Sequence, residues 1–443
     1  MPQMNRQDAK ILYLVCTGIF IFYPDTAHAY LDPGTGSMLI SALIGITAVV
    51  FFAITSAYYK IISLCCGLAG FKIPEGTQND MVFYSDGPCY WNMFQPILAV
   101  LDESGTMPIR YLSSNQDDPG LAYPFKHVTT HYIGMGNRAF AVLNMLEAKV
   151  CVVTTPGLNV LQIRRSPGVR HYAYLEHSIS STPFYKLFAL DAFDSIFCVG
   201  PQQVAAVRHI EKKRGLQAKT LYETGCVYTD ILAEQLGIRL KEQQPSCRRE
   251  DQACRVLVAP TWGMNGLLSR FGLELLVRLA QENFDLTIRP HPQSWISEKE
   301  LLGKLQAALA AWSNIRWDTA VSGFEAMYGS DVLISDYSGI IFDYAFIFER
   351  PVITFEFVPE IRGHEASDLP FPPWELRVLK DLGAHVSPEA VASLPAIIAS
   401  LPDKATFVRR VRAIRDAALF NYRKSGKTAA EQLVQLYAAM RGA

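Results

Sequence analysis

The hydrophobic positions of this chain follow two patterns, with a changeover near residue 76. Upstream they form long runs. Ile11–Tyr23 is apolar, follows a polar start carrying Arg6 and Lys10, and gives way to Pro24 and then Ala27-His28-Ala29. A basic start, a short apolar centre and a small-x-small exit are the layout of a secretory signal, so residues 1–29 are expected to be a signal-like segment cleaved after Ala29. The polar turn Tyr30–Ser37 leads into Met38–Ala57, which is apolar or small throughout and carries no charge. That run predicts a transmembrane helix at 38–57, inside a membrane and juxtamembrane stretch at 30–75. Tyr58, Tyr59, Lys60 and Lys72 lie beyond its end, whereas the near flank before it has only Asp32. The positive-inside rule therefore puts everything downstream in the cytoplasm, as a single-pass protein of the cytoplasmic membrane after cleavage. A retained first run would make a hairpin and leave the downstream part on the same side.

Downstream, short β-branched blocks recur at roughly 15–30 residue intervals with helical patterns between them, the rhythm of strand–helix units. Val82–Ser85, Ile109–Leu112, His127–Ile133, Val150–Thr154, His171–Leu175, Ser195–Val199 and Thr220–Tyr222 read as strands. Helical stretches such as Ala139–Ala148 and Gln202–Arg214 separate them. The polar segment Gln243–Ala253 reads as a linker. A second series follows it: Arg255–Ala259, Leu286–Arg289, Ile315–Asp318, Val332–Ile334 and Val352–Phe355, with helices at Leu267–Asn283 and Glu298–Trp312. Alternation of this kind implies parallel sheets covered by helices. The pattern predicts an α/β protein of two Rossmann-like domains, at 76–250 and 251–405, with the ligand in the cleft between them. A helical tail is expected at 406–443.

Composition narrows the picture. A chain of 443 residues is too long for one ordinary core. A formal net charge of -1 argues against a nucleic-acid partner. The nine cysteines form no C-x-x-C pair, and Cys151 and Cys198 sit inside strand-like runs. That usage suits a reduced compartment and neither a disulfide framework nor zinc. No Asp, Glu and His cluster has metal-ligand spacing, so neither metal nor cofactor is expected.

Candidate chemistry gathers at strand ends, where open parallel sheets bind ligands. Val332–Ile334 runs into Ser335-Asp336-Tyr337-Ser338-Gly339 and then an apolar helical stretch carrying Asp343. A polar turn at a helix start suits a phosphate, because backbone N–H groups and the helix dipole favour negative charge. Ser338 can cap the helix or bond a phosphate. Asp336 needs a hydroxyl partner or a donor to orient. Asp343 is a substrate contact or a plain helix residue. In Arg289-Pro290-His291-Pro292 the prolines stiffen the backbone around a histidine that can bond a phosphate or protonate a leaving group. Thr261-Trp262-Gly263 closes the first strand of its domain, and Trp262 either stacks on a base or packs in the core. His177 stands after Glu176 at a strand end of the first domain and is a candidate general base. His127, His131, His171, His209, His364 and His385 lack such company and read as structural.

Three stretches resemble the CDP-glycerol glycerophosphotransferase family, the teichoic-acid-type polymerases and primases of GT-B architecture: Val256–Gly263, Ile288–Pro292 and Asp331–Phe355. In the first domain His177 stands where the family has its His-Gly motif. The resemblance implies transfer of glycerol phosphate, or a related alditol phosphate, from a CDP-alditol such as CDP-glycerol to a lipid-linked or polysaccharide acceptor hydroxyl, with release of CMP. It implies His177 as the base, Arg289 and His291 on the pyrophosphate, and the Ser338–Gly339 turn on phosphate oxygens. Asp336 would meet the glycerol hydroxyls or position a neighbour. Gly263, in place of a polar residue, and Ser178, in place of glycine, depart from the family pattern, as does a membrane anchor on so short a chain. Two other readings stay open: a GT-B glycosyltransferase using a nucleotide sugar, and a non-catalytic membrane scaffold of a polysaccharide assembly complex. Released UDP or GDP would favour the first. Indifference of cellular function to His177→Ala and His291→Ala would favour the second.

Overall fold

The computed structural model describes residues 77–160, 162–180, 182–242, 253–282 and 284–440. The expected signal-like segment and the helix at 38–57 lie outside the described residues, as does nearly all of the linker. Among the described residues no single helix is long and apolar enough to cross a membrane.

Two all-parallel sheets make up the fold. The first contains β1 (Met81–Ser85), β2 (Ile109–Ser113), β3 (Val128–Tyr132), β4 (Ala148–Val153), β5 (Val169–Leu175), β6 (Ser195–Cys198) and β7 (Thr220–Glu223). Their order is β3-β2-β1-β4-β5-β6-β7. The second contains β8 (Cys254–Val258), β9 (Phe284–Ile288), β10 (Ile315–Trp317), β11 (Val332–Ser335), β12 (Val352–Phe355) and β13 (Gly383–Val386), in the order β10-β9-β8-β11-β12-β13. Central strands such as β1 and β4 are buried at every position, the mark of a parallel sheet covered on both faces. In each sheet the order reverses once, between β1 and β4 and between β8 and β11. The crevice beyond such a reversal, at the carboxyl ends of the strands, is where open α/β sheets take ligands.

Six long helices concern the site and its support: α1 (Trp91–Ser104), α2 (Pro201–Arg214), α3 (Val227–Glu242), α4 (Leu267–Ala280), α5 (Lys404–Ala418) and α6 (Ser425–Ala439). The tail expected from the sequence does not stand apart. Ala429, Ala430, Leu433, Leu436 and Tyr437 of α6 share a core with Phe94, Leu98 and Leu101 of α1. Asp230 of α3 holds the start of α6 by accepting the backbone N–H groups of Arg423, at 2.7 Å, and Ser425. The last helix is thus a layer of the first sheet's domain. A second apolar cluster unites Ile179, Val199 and Leu232 of the first half with Leu257, Tyr344 and Phe346 of the second, so the two halves are packed together.

One strand escaped the sequence pattern. β13 reads Gly-Ala-His-Val, poor in β-branched residues, and it sits at a sheet edge where burial demands less of it. Gly383 is required there: its φ is 149° and a Cβ would lie 2.0 Å from the Val352 carbonyl oxygen.

Candidate active site

The carboxyl ends of β8 and β11 lie side by side at the reversal of the second sheet, paired through Val256–Val332 and Val258–Ile334. Ser335 Oγ donates to the Ala259 carbonyl at 2.7 Å, which carries the pairing one residue past the strands. Asp336 follows, with no exposed surface. Its carboxylate accepts backbone N–H groups from Thr261 at 2.9 Å, Leu267 at 3.0 Å and Tyr337 at 2.7 Å. It therefore ties the Thr261–Trp262 loop and the start of α4 to its own turn. Of the two roles the resemblance left open, the geometry matches positioning, since substrate hydroxyls have no access to this side chain. Burial nevertheless pushes its carboxyl above the usual range, with those amide bonds pulling the other way.

Ser338 and Gly339 open the helical stretch Ile340–Asp343, which continues as a π-helical turn, Tyr344–Phe348. Such turns cluster at functional sites. The Thr261–Trp262 loop carries Trp262 out into the cleft at 47 % exposure, which removes it from the core, and its ring lies 6.5 Å from that of His291.

Arg289 and His291 follow β9. The guanidinium of Arg289 is partly committed: Nη1 donates to Asp318 Oδ2 at 2.5 Å and Nη2 to the Val321 carbonyl at 3.2 Å. It lines the cleft as one half of an ion pair with Asp318. His291 Nδ1 accepts the Gln293 backbone N–H at 3.1 Å. Its ring proton therefore sits on Nε2, a hydrogen-bond donor. Burial pushes the imidazole below its ordinary pKa against a smaller opposing pull from Glu298, so the ring stays neutral at pH 7.

His177 has the opposite arrangement. Its Nδ1 lies 3.1 Å from the Thr154 carbonyl oxygen, which can only accept, so Nδ1 carries the proton and Nε2 keeps a free lone pair. Beneath it Glu176 is buried, with 1 % exposure. Its carboxylate accepts the His177 N–H at 2.9 Å, the Tyr185 hydroxyl at 2.5 Å, the Thr182 hydroxyl at 3.2 Å and Gln203 Nε2 at 2.6 Å. The loop bearing His177 is thereby locked to α2 and to the Thr182–Phe184 turn. The His177 loop meets the second half directly: a Cβ at Gly339 would lie 3.4 Å from Ser178 Oγ and 3.3 Å from Ser180 Oγ. Phe184 and Tyr337 approach to 6.0 Å across the same seam.

One cleft of about 820 Å³ collects these groups. His177, Arg289, His291, Thr261, Trp262, Tyr337, Ser338, Gly339 and Asp343 all line it; Asp336 does not. The sequence reading missed Tyr228, Asn265 and His364, which line it too. His364 was read as structural because no strand end precedes it. It reaches the cleft through an antiparallel bridge to Lys186 in the other half, a long-range contact that local pattern does not carry. Asp343 has no hydrogen bond or ion pair among the described residues, and burial alone pushes its carboxyl up to about 7. Among the described residues no group of three or more His, Cys, Asp or Glu is arranged to hold a metal ion.

Residues 193–362, which span the β8, β9 and β11 turns and α2 to α4, match the family CDP-Glycerol:Poly(glycerophosphate) glycerophosphotransferase. Over this segment the chain is similar to that family. The chain is a glycerophosphotransferase-like transferase. Among solved structures it is similar to the wall teichoic acid polymerase TagF. A histidine-to-asparagine variant of TagF soaked with CDPG is 16 % identical, with a TM-score of 0.55 over 88 % of this chain and 98 % of that one. A second TagF structure gives 16 % and 0.51 over the same shares. At this identity the likeness establishes the fold, which is GT-B-like. No curated protein matches the chain significantly. His177 falls outside the matched segment of the glycerophosphotransferase family, whereas Arg289, His291 and the Asp336–Asp343 stretch fall inside it.

Proposed function

We propose that this transferase moves glycerol phosphate, or a related alditol phosphate, from a CDP-alditol to a hydroxyl of a lipid-linked or cell-surface polymer. In this reading Met38–Ala57 anchors it in the cytoplasmic membrane with the cleft facing the cytoplasm. The observation that carries the proposal is the pair of opposite tautomers in one cleft, a free lone pair on His177 and an N–H donor on His291.

His177 Nε2 takes the proton of the acceptor hydroxyl as its oxygen attacks the β-phosphorus. A new P–O bond forms, the bond from phosphorus to the bridging oxygen breaks, and CMP leaves with that electron pair. His291 Nε2–H bonds a phosphate oxygen and stabilises charge on the leaving group. The Ser338–Gly339 turn and its helix dipole, with Arg289, hold the remaining oxygens. Trp262 supplies a face for the cytosine. Phosphoryl transfer depends mainly on orientation and charge stabilisation, so the site needs no covalent nucleophile.

The test is CMP release and label transfer with the full chain in lipid vesicles, offering CDP-glycerol, CDP-ribitol and UDP-sugars. CMP release from a CDP-alditol that is lost in His177→Ala is the expected result. Consumption of UDP-sugars with CDP-alditols left untouched would overturn the reading.

A further inference from the structure

A second cavity of about 830 Å³ lies behind the active cleft. The Thr182–Phe184 turn divides the two: Pro183 lines the rear cavity and Phe184 the cleft. Its walls are α2, α5 and the segment 369–378. The cause of the opening can be traced. A Cβ at Gly200 would lie 1.7 Å from the Ala418 carbonyl oxygen, so the start of α2 touches the end of α5. Beyond that contact the facing residues are small, Ala205 and Ala206 on α2 and Ala417 and Ala418 on α5, and the gap between the helices stays unfilled. The opening faces solvent: Pro201, Ala205, Phe371 and Ala417, which line it, are exposed, so it is a groove that leaves apolar surface uncovered.

The lining has an ordered chemistry. Apart from Gln202, His209, Glu375 and Arg377, every side chain in it is apolar, with Leu369, Phe371, Trp374 and Ile414 among the larger. Glu375 is 6 % exposed and makes no side-chain hydrogen bond or ion pair to another described residue. Burial pushes its carboxyl up to about 7, so much of it is neutral and able to donate. His209 and Arg377 are exposed at the rim, and Arg377 makes no ion pair among the described residues. Arg410 is exposed one helical turn before Ile414, on the same face of α5. An apolar groove edged by arginine matches a molecule that has a hydrocarbon body and an anionic head.

We infer that this cavity binds the hydrocarbon chain of a lipid phosphate, with its headgroup held at the rim by Arg377 and His209. The inference does not rest on the transfer reaction, since none of the catalytic candidates lines this cavity.

The test uses the full chain in zwitterionic nanodiscs and two photoreactive probes of equal chain length, a diazirine-bearing farnesyl phosphate and the matching farnesol. The expected result is labelling of peptides from 201–209, 369–378 and 414–418 by the phosphate probe, at least tenfold above farnesol. Ala206→Trp fills the cavity and should cut that labelling about tenfold. Arg377→Gln, a surface change with no packing cost, should remove the preference for phosphate while leaving labelling by farnesol. Equal labelling by both probes in the wild type, or no response to either substitution, would overturn the assignment. Suppression of labelling by millimolar inorganic phosphate alone would overturn it too, because the site would then be an anion site and not a lipid site.

Discussion

His177 and His291 are distinguished by which ring nitrogen holds the hydrogen, and a backbone group sets each choice. The Thr154 carbonyl leaves a lone pair on Nε2 of one, and the Gln293 amide leaves an N–H on Nε2 of the other. His291→Ala is expected to lower the turnover number about 100-fold while nucleotide affinity changes little, since a hydrogen bond made chiefly in the transition state is lost. Steady-state kinetics with CDP-glycerol, set against CMP binding by calorimetry, separates the two effects. Asp343 gives a pH signature. Its carboxyl titrates near 7 in the folded protein against 3.8 as the ordinary value. Its stabilising contribution is full below the lower value and is lost as pH rises through about 7. Asp343→Asn should therefore gain stability over the wild type on going from pH 5 to pH 8, by about 2 kcal/mol after allowance for partial exposure. Urea melts at the two pH values measure it, and equal gains at both would refute the argument. Single residues were legible in the sequence where a strand end and a proline announced them, as at His291. They were not legible where the role depended on what lay opposite: nothing local distinguishes Asp336, spent on three backbone amides, from Asp343, which has no partner among the described residues.

At the scale of elements, the loops after β8 and β11 behave as one unit because a single carboxylate joins them. Asp336→Asn should cost about 2–4 kcal/mol, the price of weakening three charge-assisted bonds in a fully buried place. Guanidinium unfolding checks the loss. Trp262→Ala should weaken CDP-nucleotide binding by about 1–2 kcal/mol, while Trp262→Phe keeps most of it, because stacking needs a ring face and little else. Isothermal titration with CDP decides it, and unchanged affinity would remove Trp262 from the base site. Strands rich in Val, Ile and Leu announced themselves because both of their faces are buried. β13 did not, since an edge strand of glycine and alanine has no such composition. The partner of α6 was equally unreadable, because an amphipathic pattern shows that a helix has a buried side without naming the surface that buries it.

Across the whole molecule the two halves are joined by more than a linker. Arg214 of α2 pairs with Asp191 at 2.6 Å, with Asp368 at 2.8 Å and with Glu365, which has no exposed surface. Glu365 also accepts the Ala189 N–H at 2.8 Å. Removing one member of a buried group leaves its partners uncompensated, so Glu365→Ala should destabilise by about 3–5 kcal/mol. The same urea melts measure this, and a change below about 1 kcal/mol would show that the halves hold without the cluster. The return of α6 to α1 has a further consequence, in the order of synthesis. Phe94 and Leu98 emerge from the ribosome more than three hundred residues before Leu433 and Leu436, which cover them. The first domain therefore stays unfinished through translation of the second, and a chain stopped short of Ser425 leaves an apolar strip of α1 open for good.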